Sequence, residues 1–158
     1  FLEVEAAAER AAVLLKLVPQ VCRMARLEEA SRETVLNSSE RAGSYLLERF
    51  SGETREVIYE LCLDRKGKLL ACKRLGEGGV SYADLDIRKL VENALLTSAS
   101  AVILAHNHPS GVALPSESDR AVTLWVRDAL KTMDIRLLDH IIVADNDFVS
   151  MNQSGYLL

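Results

Sequence analysis

Two histidines one residue apart, His106 and His108, stand at the end of the apolar run Ala101-Val102-Ile103-Leu104-Ala105. Such a run reads as a buried strand, and side chains alternate across a strand, so both imidazoles point to one face and Asn107 to the other. Pro109 cannot continue a ladder and Gly111 permits an unusual turn, so the chain leaves the strand directly after His108. Ser116 follows Pro115 and precedes a helical pattern, which puts Asp119 in the first helical turn and lets its carboxylate return to the histidines. Two neutral imidazoles and a carboxylate suit zinc, and three protein ligands leave a fourth tetrahedral position open, as in a catalytic site. The plainer alternative is that two histidines end a strand and that Ser116 with Asp119 is a capping box.

Zinc at such a site would polarise a carbonyl oxygen and lower the pKa of its water to about 7. A carboxylate outside the ligand set must then take the remaining proton and return it to the leaving amine. Glu53, Glu56 and Glu60 lie on the approach to and along a strand, and alternation puts Glu56 and Glu60 on one side of it. Spacing does not choose among them. His140 sits inside the apolar strand of Asp139-His140-Ile141-Ile142-Val143 and reads as a core or supporting residue. Ser110 lies near the histidines, but no Gly-x-Ser-x-Gly elbow supports a serine hydrolase.

The elements that must position these groups follow from periodicity. Phe1 to about Leu27 favours helix, with Pro19 expected to interrupt it and its apolar positions expected to pack. A polar stretch up to Asn37 marks a soft boundary, so residues 1–37 are expected to be a helical segment or linker and residues 38–158 the main domain. Ser38 or Ser39 caps a helix with Ala42, Tyr45, Leu46 and Phe50 on one face. Glu56 to Leu63 and Lys68 to Leu75 form a hairpin about Asp64-Arg65-Lys66-Gly67, and Asp86 to Ser98 is helical. The helix from Ser116 to about Met133 carries Val122, Trp125, Val126, Ala129 and Leu130 as an apolar stripe. Arg136 to Ala144 and Phe148 to Ser150 are the last strands. Helices interspersed with mixed strands in the order α-α-β-β-α-β-α-β-β predict an α/β sandwich.

The constellation His106-x-His108-x7-Ser116-x2-Asp119 after an apolar strand resembles the signature of the JAB/MPN (JAMM-motif) metalloproteases. Within that group, His106-Asn107-His108-Pro109-Ser110-Gly111 and Asp139-His140-Ile141-Ile142-Val143 are similar to the RadC family, and the likeness runs from about Ser38 to Gly155. It implies a JAB/MPN (cytidine-deaminase-like) mixed sheet sandwiched by helices, with His106, His108 and Asp119 holding Zn2+. It also selects Glu56, in Thr54-Arg55-Glu56-Val57-Ile58-Tyr59-Glu60, as the catalytic glutamate, and makes Ser116 an oxyanion donor. Glu60 is then expected to be an exposed strand charge. The implied activity is hydrolysis of a peptide, isopeptide or related amide bond in a protein or peptide substrate. An upstream helical domain is also implied. The competing expectation is a noncatalytic, metal-stabilised binding module or DNA-transaction accessory protein, nucleic acid entering only through the family's association with DNA repair. Val112-Ala113 and Asp86-Ile87 replace the pairs usual in that family, which bears on the rim of the site.

Composition limits the remaining options. With 49% hydrophobic and 27% charged residues, the 158-residue chain has the balance of a globular domain. A net charge of −4 supplies no global basic field for phosphate backbones. The cluster Arg65, Lys66, Lys68, Lys73 and Arg74 reads as a solvated hairpin. Three cysteines, Cys22, Cys62 and Cys72, without Cys-x-x-Cys spacing argue against a disulfide framework and fit a reducing cytoplasm. No apolar run approaches the roughly eighteen residues that span a bilayer, so membrane attachment is not expected.

Overall fold

The computed structural model describes residues 11–22, 34–78 and 85–157. Compact units comprise Phe1–Thr34 and Val35–Leu158. In the first, residues 11–22 are helical (α1), and the helix continues through Pro19, whose missing N–H removes one ladder bond without ending the run. Val13, Leu14, Leu15, Leu17, Val18 and Val21 are exposed among the described residues, so the packing expected of this segment is not seen there. An apolar pattern states a need for burial without stating against what.

The second unit is a five-stranded mixed sheet between helices, in the order β2-β1-β3-β4-β5. The strands are β1 (Val57–Leu63), β2 (Leu69–Glu77), β3 (Ala101–Asn107), β4 (Arg136–Ala144) and β5 (Asp147–Ser150). The helices are α2 (Ser39–Phe50), α3 (Ile87–Leu96) and α4 (Glu117–Lys131). Caps mark their starts: Ser38 accepts from the Arg41 amide, Asp86 from Lys89, and Ser116 from Asp119. Among the described strands only the β3–β4 pair is parallel, and α4 makes the crossover between them.

Each face of the sheet builds a core. Val57, Tyr59, Leu61, Ile103 and Ile141 pack with Leu46 and Phe50 of α2. Ile58, Cys62, Leu104 and Leu90 pack with Val122, Val126 and Leu130 of α4 on the other side. A Cβ at Gly43 would collide with the Phe148 ring, so a residue without a side chain lets α2 close on the sheet. The buried Asp139 carboxylate reinforces that contact, accepting from the Ser39 and Ser150 hydroxyls at 2.9 and 2.6 Å and from the Asn152 amide at 3.0 Å.

β1 lies inside the sheet with helices over both faces, and all seven of its residues are buried. This overturns the expectation of an exposed Glu60. Its side chain is fully buried, with Oε2 accepting from the Asn93 amide at 2.9 Å and Oε1 without a hydrogen-bond partner. Burial raises its pKa from 4.5 to about 7, against the opposing Asn93 bond.

Candidate metal centre

Strand pairing assembles the site. β3 ends at Asn107, and the His108 amide makes a last bond to the Val143 carbonyl at 2.7 Å. The chain then turns back, the Gly111 amide donating to the His108 carbonyl at 3.1 Å, with Gly111 at φ 81°. That conformation suits glycine, and a Cβ here would also press on the Asp145 carboxylate. β1 is antiparallel to β3 with Ile58 opposite His106, so continuing the register sets Glu56 opposite His108 and on the same face. α4 lies over that face and delivers Asp119 from its first turn.

Three donor groups converge. His106 Nε2 and His108 Nε2 lie 2.9 Å apart, His106 Nε2 is 3.2 Å from Asp119 Oδ1, and His108 Nε2 is 3.6 Å from Asp119 Oδ2. Ligands held tetrahedrally at zinc distances stand about 3.3 Å from one another, so these edges match the spacing of a ligand set. The lone pairs match too. His108 Nδ1 is 2.8 Å from the Val112 carbonyl, which can only accept, so Nδ1 carries a proton and a neutral His108 presents a bare Nε2. A bare His108 Nε2 facing a second imidazole nitrogen and a carboxylate is an electron-rich pocket that suits a cation. His106, His108 and Asp119 thus fit a divalent metal. Glu56 also offers a carboxylate oxygen within 4.8 Å of both histidines, making Glu56, His106 and His108 a group that could hold a metal ion.

Asp119 and Ser116 form a reciprocal capping box. Asp119 Oδ2 accepts from the Ser116 amide at 2.7 Å and from its hydroxyl at 2.6 Å, while Ser116 Oγ accepts from the Asp119 amide at 3.1 Å. The Ser116 proton is therefore directed at Asp119. Burial pushes the Asp119 pKa up, but His106 and the Ser116 donors outweigh it and hold the carboxyl well below its usual range. The carboxylate is ionised at neutral pH, as a ligand must be.

Residues behind the donors were less visible in the sequence. Asn107, on the opposite face, accepts from the Val57 amide at 2.8 Å and donates to the Arg55 carbonyl at 2.9 Å. One amide side chain thus clamps the backbone on both flanks of Glu56. The only sequence signal for it was alternation, which turned Asn107 away from the histidines. His140 Nε2 is 2.8 Å from His106 Nδ1, and His140 Nδ1 is 2.6 Å from Thr123 Oγ1. Burial, with His106 as the next contributor, keeps His140 neutral. It stands behind His106, away from the three-way convergence. Thr123 lies four residues after Asp119, a helical spacing that would have flagged it.

Residues 36–156 match the family model described as a RadC-like JAB domain. The chain is 44% identical over 132 residues to a UPF0758 protein of Photobacterium profundum, covering 83% of this chain and 59% of that protein. It is 40% identical over 143 residues to a UPF0758 protein of Stutzerimonas stutzeri, covering 90% and 64%. A UPF0758 protein of Stenotrophomonas maltophilia is 42% identical over 125 residues, with 79% and 53% covered. The chain therefore spans less than two thirds of the length of these relatives.

Proposed function

We propose that this chain, which belongs to the RadC-like JAB domain family, is a zinc-dependent hydrolase of a peptide, isopeptide or related amide bond. His106, His108 and Asp119 are the metal ligands in this reading, and Glu56 is the general base. The observation that carries it is the convergence of two imidazole nitrogens with Asp119 on one side and Glu56 on another. A purely structural site has no need of a further carboxylate and usually closes its fourth position with protein.

When bound, the metal supplies Lewis acidity that polarises a carbonyl and makes water reactive at neutral pH. Glu56 takes a proton from the attacking water and returns it to the leaving amine, held for that task by the Asn107 clamp on its flanks. Ser116 acts first through Asp119, whose carboxylate it orients. For its hydroxyl to donate to a substrate oxygen, that donation must be exchanged. A cleft of about 880 Å3 opens beside His108, lined in part by Leu47, Phe50, Asn107 and Pro109, and has room for a stretch of extended peptide. Free cysteines at positions 22, 62 and 72 suit a cytoplasmic setting. Among the described residues, no helix is long and apolar enough to cross a membrane.

The test is Glu56→Gln, assayed on a substrate found by screening peptides and isopeptides. Glutamine preserves size but cannot carry the proton, so turnover should fall about a hundredfold to ten-thousandfold while metal content holds. Glu60→Gln should leave turnover near the parent value, because residue 60 lies about 13 Å farther along the strand. Parent-level turnover by Glu56→Gln, with the ligand variants inactive, would remove Glu56 from the mechanism.

A further inference from the structure

We propose that Thr123, acting through His140, fixes a proton on His106 Nδ1, so that Nε2 is the ring nitrogen left for a metal beside Asp119 and His108. Thr123 is here a positioning residue that touches the main chain of Asp119 but none of the side-chain donor atoms. The consequence for metal binding rests on the reading of His106 as a ligand; the tautomer itself does not.

The Asp119 main-chain carbonyl accepts a hydrogen bond and cannot donate one. Thr123 Oγ1 lies 2.5 Å from the Asp119 main-chain carbonyl oxygen. Two oxygens approach that closely only with a hydrogen between them, and the carbonyl has none, so the single hydroxyl proton lies on this line. The Met151 sulfur, 3.4 Å from the same oxygen, is a weaker and more distant acceptor. Thr123 Oγ1 therefore turns a lone pair to His140 Nδ1 at 2.6 Å, and His140 Nδ1 must be the donor. A neutral imidazole protonated on Nδ1 is bare at Nε2, which accepts from His106 Nδ1 at 2.8 Å. His106 therefore carries a proton at Nδ1, and Nε2 is the nitrogen by which it faces Asp119 and His108.

Thr123, His140 and His106 are all fully buried, so solvent does not replace a partner and reverse the order. Reversed, the bare nitrogen of His106 would be Nδ1, turned to His140, and its ring proton would be fixed on Nε2, the nitrogen that faces His108 and Asp119. The Val112 carbonyl imposes the same tautomer on His108 by a separate route. Because Thr123 follows Asp119 by one helical turn, α4 supplies both the carboxylate and the hydroxyl that prepares its neighbouring imidazole.

Long-range proton–nitrogen NMR of the three histidine rings in the metal-free protein reads the tautomers directly. The expected spectrum shows His106 protonated on Nδ1, the form that free histidine in water disfavours. Thr123→Val keeps the shape and removes the hydroxyl. It should shift His106 toward the Nε2–H form and raise the zinc dissociation constant, measured by chelator competition, about tenfold to hundredfold. Thr123→Ser should restore both. A His106 ring without a proton on Nδ1 in the parent protein would overturn the proposal, and this measurement needs no variant to fold. So would Thr123→Val with parent tautomer and zinc affinity, or Thr123→Ser as weakened as Thr123→Val, which would make the role one of shape. If the parent protein bound no zinc, the metal reading would fall, and the ring signals would still decide the tautomer.

Discussion

Asn107→Leu separates the placing of Glu56 from the binding of metal. The substitution keeps approximate bulk and removes two hydrogen bonds, from the Val57 amide at 2.8 Å and to the Arg55 carbonyl at 2.9 Å. Val57 is fully buried, so its amide bears a desolvation penalty of about 1–3 kcal/mol. Arg55 is exposed and its carbonyl can recover water, so its share is smaller. The sum, about 2–4 kcal/mol, lies within the roughly 5–15 kcal/mol stability of an ordinary domain, and the fold should persist. In urea this corresponds to a midpoint lowered by about 1–2 M at unchanged slope. Zinc content should match the parent, because Asn107 faces away from the donors, while turnover falls with the loosened Glu56. Asn107→Asp sharpens the test: it keeps an acceptor for the Val57 amide but sets a carboxylate oxygen against the Arg55 carbonyl. A leucine variant with an unshifted midpoint and normal turnover would refute the clamp.

His106→Ala, His108→Ala and Asp119→Ala should each lose metal, measured by elemental analysis after dialysis, since three ligands leave little redundancy; stoichiometric zinc in all three would refute the ligand set. Glu60→Gln should stabilise the protein at pH 8 and leave it nearly unchanged at pH 4. The native state keeps the Glu60 proton up to about pH 7, whereas the unfolded chain releases it near 4.5. The native state therefore binds the extra proton between those values, and stability falls as pH rises through them, by up to about 3 kcal/mol. Chemical denaturation at both pH values checks this, and an equal effect at the two would exclude a titrating Glu60.

Local pattern determined a good deal. The apolar run before His106, the break at Pro109 and the capping residues Asp86 and Ser116 are written within a few positions of the elements they start or end. The same proximity made the meeting of His106, His108 and Asp119 readable, since one strand end, one loop and one helical turn connect them. Family likeness then pointed to Glu56, which spacing could not separate from Glu60. Only the pairing of β1 with β3 divides the two physically, bringing Glu56 to the strand mouth beside His108 and carrying Glu60 into the interior. Strand order and the helices on both faces turned an expected surface charge into a buried acid, and neither is a property of the strand itself. Asn107 reaches partners 50 and 52 residues away, and His140 stands 34 residues from His106 and 17 from Thr123. Periodicity specifies which face a side chain takes; which side chain it meets there depends on long-range register and helix docking, which only the tertiary structure decides.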